Sequence, residues 1–234
     1  MEEFTPTHYE EMIMKIFILC GGHYSNFSHP KCLSVVQGER LLDRTIRLLR
    51  PYSPDITVTC NLEETRLDSY HPLKVAQSFH HIERKGYYLD AFIPCDFPCI
   101  YLFGDVFYTE DAIKQIIERF NTTTYNVFVC NKYPFNEKGL RQGEPFGWIV
   151  KDQEEFKAAI TLCKKLQNRG RVTQDGKLRI PTNWELSQVI NGNGVNQFIF
   201  NKDDCLVIDD LTIDCDSPES AKILEERIWR NIKP

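Results

Sequence analysis

Short apolar runs alternate with segments of helical periodicity along most of the chain. Lys15–Leu19 reads as a buried strand. Ile56–Cys60, Ile100–Phe103 and Tyr125–Cys130 are of the same kind: brief, rich in β-branched and aromatic residues, and bounded by polar turns. Between them the period changes. In Glu39–Leu49, Leu41, Leu42, Thr45, Ile46, Leu48 and Leu49 form one broad stripe, as a half-buried helix requires. Thr109–Phe120 is predicted helical. So is Gln153–Leu166, with Phe156, Ala159, Ile160 and Cys163 on one side. Strand and helix in alternation imply an α/β fold: a Rossmann-like, mostly parallel central sheet with helices on both faces.

The pattern breaks between Asn168 and Gly176, where Asn-Arg-Gly-Arg and Gln-Asp-Gly are turn signals without an apolar period. A helix then opens at Pro181, because Thr182 and Glu185 have the spacing of a capping box. Strands are expected near Val195–Phe200 and Cys205–Ile208. A final helix starts at Ser217, with Pro218 in its first position and Glu219 at its positive end. Residues 1–13 read as an extension, 14–234 as one domain, and about 131–200 as an irregular elaboration of it.

Composition narrows the function. The chain has 234 residues, 42% of them hydrophobic and 26% charged, which excludes a disordered chain. The net charge of −5, with no block of Lys and Arg, speaks against general nucleic-acid binding. No apolar run approaches a membrane span, and the acidic Met1-Glu2-Glu3 start is unlike a secretory signal, so a cytoplasmic location is expected. The nine cysteines lack C-x-x-C spacing and mostly sit in apolar runs, so they read as reduced, buried thiols.

Three stretches carry candidate chemistry. In the first, the strand ending Leu19-Cys20 runs into Gly21-Gly22, a polar loop and Pro30-Lys31. Glycines let backbone N–H groups approach an anion, and a lysine closing the loop adds a point charge. In the second, the strand over Ile100–Phe103 ends in Gly104-Asp105, at the edge where open α/β sheets bind ligands. An aspartate there can hold Mg²⁺, although capping of the next helix is an equal reading. In the third, Asp214 and Asp216 are two apart in an extended segment, so both carboxylates face one side. Two adjacent carboxylates repel, and a cation is one remedy; a solvated turn is the other reading.

Taken in this order, the three stretches resemble the nucleotidyltransferase family of the nucleotide-diphospho-sugar transferase fold. Gly38-Glu39-Arg40-Leu41-Leu42-Asp43-Arg44-Thr45-Ile46 is similar to the family's helix start after the lysine. Gly86-Tyr87-Tyr88-Leu89-Asp90-Ala91 is similar to its segment lining the base and ribose pocket. Two departures stand out: Tyr24 replaces the third loop glycine, and Asn26 replaces the loop arginine. Arg44, Lys85, Arg141 and Lys164 are the cations considered as substitutes for that arginine.

The resemblance implies transfer of a nucleotide from an NTP to a phosphorylated small-molecule acceptor, a sugar, polyol or similar phosphate, with release of pyrophosphate. It implies Mg²⁺ or Mn²⁺ on Asp105 and Asp216, assisted by Asp214, with Lys31 and Asp105 as the catalytic pair. Leu19, Cys20, Gly21, Gly22, Lys31, Gly86, Tyr87 and Gly104 would hold the nucleotide. Arg141, Glu144, Trp184, Glu185 and Asn196 are candidates for the acceptor, with a plain structural reading beside each: Trp184 as core, Glu185 as capping residue. CTP is the favoured nucleotide, a homodimer is possible, and capsule or cell-envelope synthesis is the implied context. The alternatives are a glycosyltransferase of the same fold and a non-catalytic nucleotide-binding protein; a hydrolase built on Cys20 and His23 is a weaker third.

Overall fold

The computed structural model describes residues 14–21, 28–75, 87–131, 143–174, 176–197 and 204–232. Its centre is a seven-stranded sheet. The strands are β1 (Lys15–Leu19), β2 (Ile56–Asn61), β3 (Leu73–Val75), β4 (Cys99–Phe103), β5 (Val127–Cys130), β6 (Pro145–Val150) and β7 (Cys205–Val207). They lie in the order β7-β5-β6-β4-β1-β2-β3. All neighbours run parallel except at β6, which is antiparallel to both β4 and β5. The sheet is therefore mostly parallel, as expected.

Alternation along the strands builds two cores. Ile16, Ile18, Ile100, Leu102, Val127 and Val129 point to one face. There they meet Leu42 and Leu49 of α1 (Leu41–Leu49) and Ile113, Ile116 and Phe120 of α2 (Glu110–Thr122). Phe17, Leu19, Tyr101, Phe128 and Trp148 point to the other. They meet Phe156, Ile160 and Cys163 of α3 (Gln153–Asn168) and Trp184 and Leu186 of α4 (Asn183–Ile190). Burial on both faces of the central strands is why they are short and nearly wholly apolar. A third, smaller core sets Leu224 and Ile228 of α5 (Pro218–Ile232) against Val36, Leu41, Phe107 and Cys215.

Two caps form as expected: Thr182 and Glu185 close a capping box, and Ser217 accepts from the Ser220 N–H at 3.0 Å. The α2 cap is Thr109, which accepts from the Ala112 N–H at 2.9 Å, and not Asp105. All nine cysteines are free thiols, and only Cys205 is not buried. No helix among the described residues is long and apolar enough to cross a membrane.

Several elements differ from the sequence reading, among them the short strands β3, Val106–Phe107 and Ile213–Asp214, which the pattern does not predict. Residues Glu39 and Arg40 are not helical: they pair with Val35–Val36 in a hairpin. Gln37 and Gly38 between them both have positive φ, 54° and 79°, which suits the right-handed twist of a two-residue hairpin turn. Residues 195–197 form a turn instead of a strand, with the Gln197 N–H donating to Gly194 O at 2.7 Å; 198–200 lie outside the described residues. Strand β6 also lies in a stretch where no strand was predicted. Phe146, Trp148, Ile149 and Val150 favour a strand, but a proline opens the stretch and Gly147 interrupts it, so no alternation marks it. Gly147 is there because the strands approach closely: a Cβ would meet Tyr101 O at 2.1 Å. Gly147→Ala is accordingly expected to destabilise the protein by about 3 kcal/mol, the upper range for overpacking, measured as a lowered urea midpoint with unchanged slope.

Candidate active site

Parallel pairing puts the carboxyl ends of β1, β2 and β4 at one edge: Leu19 lies beside both Thr59 and Phe103. Ligands of open α/β sheets bind outside this edge. Chain segments leaving the three strands are tied to one another there. The Cys20 N–H donates to Thr59 O at 2.8 Å, and the Gly104 N–H donates to Leu19 O at 2.9 Å. Gly104 has a packing reason of its own, since a Cβ would sit 2.4 Å from Cys20 Sγ.

The loop after β1 is held at both ends by the last residue of β2 and the segment that follows it. Asn61 Nδ2 donates to Gly21 O at 3.0 Å, and Arg66 donates to Ser28 O at 3.2 Å. Arg66 is itself gripped by the buried Glu64 through two bonds of 2.8 and 2.6 Å. These three residues carry no motif, which is why sequence reading passed over them; a run of polar residues just beyond a buried strand is their only signal. Gly22, together with His23, Tyr24, Asn26 and Phe27, lies outside the described residues.

Lys31 starts a single 3-10 turn, Lys31–Leu33, fixed by Leu33 N–H to Pro30 O at 2.8 Å. Its ammonium lies 3.5 Å from Asp105 Oδ2 and forms an ion pair with Asp216. Asp214 sits in a two-residue strand, Ile213–Asp214, antiparallel to Val106–Phe107. The Cys215 N–H donates to Asp105 O at 2.9 Å, which carries the chain on to Asp216. One carboxylate oxygen from each of Asp105, Asp214 and Asp216 lies within 4.8 Å of the others. The structure thus brings together the four charged residues expected to form the centre.

Burial is the largest influence on the carboxyls, pushing Asp105 and Asp214 above the ordinary carboxylate range. Lys31 opposes this for both, while Asp216 adds to it for both and Asp105 raises Asp214 further. For Lys31, burial pulls downward, but Asp105 and Asp216 outweigh it and its pKa ends above the usual lysine value. Three carboxylates against one ammonium leave an excess of negative charge. Asp214 Oδ1 is buried and has no hydrogen-bond partner among the described residues. An all-oxygen donor set with an unpartnered buried oxygen fits a hard divalent cation such as Mg²⁺ or Mn²⁺.

The remaining predicted residues divide. Glu144 is close enough for its charge to raise Asp214 further, and its N–H donates to Asn131 Oδ1 at 2.7 Å. The Tyr87 hydroxyl bonds Asn168, and Lys164 lies over its ring while pairing with Asp90. Trp184 is buried in the core against Phe128, ring centroids 5.5 Å apart. Glu185 is fully buried; it caps α4 and lies 3.2 Å from Arg179 Nε. For both, the structural reading stated beside the acceptor role is the one the geometry supplies. Asn196 ties its loop to Thr173 N–H and Arg171 O. Arg44 donates to Tyr108 O and stacks on Phe107. Lys85, Gly86 and Arg141 lie outside the described residues. The Cys20 thiol is pushed well up, by its hydrogen bond with Cys32 first and by burial second, which suits a packed thiol and not a nucleophile.

No protein-family model and no curated protein matches the chain. Solved structures do. A putative glucose-1-phosphate thymidylyltransferase from Bacillus anthracis aligns over 94% of this chain and 97% of its own, with a TM-score of 0.57 and 15% identity. The 2-C-methyl-D-erythritol 4-phosphate cytidylyltransferase of Thermus thermophilus aligns over 93% and 100%, with a TM-score of 0.53 and 10% identity. The 4-diphosphocytidyl-2C-methyl-D-erythritol synthase of Anaerococcus prevotii aligns over 93% and 96%, with a TM-score of 0.52 and 12% identity. These likenesses show the fold: the chain shares the α/β fold of sugar-phosphate nucleotidyltransferase and cytidylyltransferase structures.

Proposed function

We propose that the protein is a nucleotidyltransferase that joins an NTP to a phosphorylated small-molecule acceptor and releases pyrophosphate. The observation that carries this reading is the meeting of Lys31 with Asp105, Asp214 and Asp216 at the carboxyl edge of β1 and β4. Lysine and carboxylates at one edge suit a reaction that demands positioning and charge neutralisation more than a covalent nucleophile. Asp105, Asp214 and Asp216 would hold the divalent cation, which when bound supplies charge neutralisation at the reacting phosphate. Lys31, fixed in its turn, stabilises charge on the α-phosphate. The backbone at Leu19, Cys20, Gly21, Gly22 and Gly104 shapes the triphosphate side, braced by Asn61 and Arg66. Gly86 and Tyr87 border the base.

The acceptor side is proposed to lie toward β6, with Glu144 as the contact beside the cluster; Asn196, and Arg141 outside the described residues, are the other proposed acceptor residues. CTP is the proposed nucleotide, because the Asp214-Cys215-Asp216 ending is similar to that of cytidylyltransferases of this fold. A cytoplasmic enzyme supplying capsule or cell-envelope building blocks fits this chemistry.

The test is thermal stabilisation with each common NTP and Mg²⁺, followed by pyrophosphate release across a panel of phosphorylated acceptors. A nucleotide at a hundred times its Kd raises stability by about 2.7 kcal/mol, and CTP is expected to shift the melting temperature most. Release of a nucleoside diphosphate from a sugar nucleotide would overturn the proposal in favour of a glycosyltransferase. Nucleotide binding without pyrophosphate release would leave only a binding protein.

A further inference from the structure

Strand β4 changes partners just where the site begins. As far as Leu102 it pairs with β6, Leu102 standing opposite Gly147. Continued in that register, Phe103 would face Phe146 and Asp105 would face Glu144. The ladder stops instead. From Asp105 onward the chain bonds the segment before α5: Cys215 N–H donates to Asp105 O, and Val106–Phe107 pairs with Ile213–Asp214.

Such a switch leaves backbone groups facing an opened gap between β4 and β6, and buried backbone groups without partners are costly. One hydroxyl fills the gap. Tyr108 Oη accepts from the Phe103 N–H at 3.2 Å, donates to Phe146 O at 2.6 Å and lies 3.3 Å from Phe103 O. Tyr108 is wholly buried, its ring edge-on to Phe146 at 6.3 Å. Burial raises the phenol well above its usual pKa, so the hydroxyl keeps the proton it donates. A phenylalanine would fill the same space, so filling the core does not account for the hydroxyl; its bonds to both strands do.

We propose that Tyr108 is the positioning residue of the acidic cluster: its hydroxyl spans the split between β4 and β6 and thereby holds Asp105 on the 213–216 segment, beside Asp214 and Asp216. This inference rests on reading that cluster as a divalent-cation site. Tyr108 touches neither substrate nor cation; it acts through Asp105, as outer partners of metal ligands commonly do.

The test is Tyr108→Phe, which keeps the ring and the packing. Mn²⁺ affinity of the nucleotide-free protein is measured by calorimetry, and kcat and KM by pyrophosphate release. The control is Asp152→Ala, which removes the side-chain cap of α3 at the opposite edge of the sheet and destabilises the chain without touching the split. Tyr108→Phe is expected to weaken Mn²⁺ binding at least about tenfold. It should also lower kcat with nucleotide KM nearly unchanged, while Asp152→Ala keeps wild-type Mn²⁺ affinity. Wild-type affinity in Tyr108→Phe, or an equal loss in Asp152→Ala, overturns the inference and leaves the proposed function standing. A wild-type protein that takes up no Mn²⁺ overturns both.

Discussion

Lys31→Ala is expected to lower the rate of pyrophosphate release at least about a hundredfold, the scale of losing one transition-state charge partner; Asp105→Ala is expected to do the same. The two reach this result from opposite sides. Without Lys31, the ammonium that pairs with Asp105 and Asp216 is gone, and three carboxylates are left facing one another. Stability should therefore fall in EDTA and recover when Mg²⁺ is added, because the cation replaces part of the missing positive charge. Without Asp105, two carboxylates remain against the lysine. Resting stability should then change less, while saturating Mg²⁺ produces a smaller thermal shift than in the wild type. Near-normal turnover in either variant would refute the role given to that residue. A Lys31→Ala variant insensitive to Mg²⁺ would refute the shared charge balance.

The second large effect is a divergence between stability and activity at Asp214. Its carboxylate is recessed, repelled by Asp105 and Asp216, and has an oxygen with no partner among the described residues. A carboxyl whose pKa is higher folded than unfolded binds a proton more readily in the folded chain. Its contribution to stability therefore becomes less favourable as pH rises beyond the ordinary carboxylate range. Asp214→Asn removes that charge at nearly constant shape. The cation-free protein should gain on the order of 1 to 2 kcal/mol at neutral pH, or a few degrees in melting temperature for a chain of this size. The same variant should lose most of the Mg²⁺-induced shift and most of its turnover. If the cation-free variant is less stable than wild type, Asp214 is a structural acid and not a ligand held ready.

Much of this architecture was legible in the sequence because its signals are local. Strand β1 occupies the expected Lys15–Leu19, and the caps at Thr182 and Ser217 depend on residues three positions apart. Lys31, Asp105, Asp214 and Asp216 were legible for another reason: each follows a buried strand or precedes a capped helix, where a charged residue has no part in the core. What escaped was set by distant partners. Strand β6 is a strand because β4 and β5 flank it, and Gly147 is tolerated because Tyr101 O leaves no room for a side chain. Asn61, Glu64 and Arg66 gain their bracing role only when β2 is laid beside β1. Trp184 and Glu185 each had two readings in the sequence, acceptor contact or core and cap, and only the packing, which no window of sequence contains, shows both buried.

The reversed direction of β6 has a consequence for how such a scaffold can diversify. The β5–β6 connection both leaves and re-enters the sheet at the working edge, since β5 ends there at Cys130 and β6 begins there at Pro145. Its length can change without sliding any strand, because the pairing of Val127 with Ile149 and of Ile100 with Ile149 is settled deeper in the sheet. If the acceptor binds on that side, as proposed, descendants of one ancestor could exchange the molecule they modify by rewriting a single excursion of the chain, while the proposed phosphate-handling residues are inherited intact.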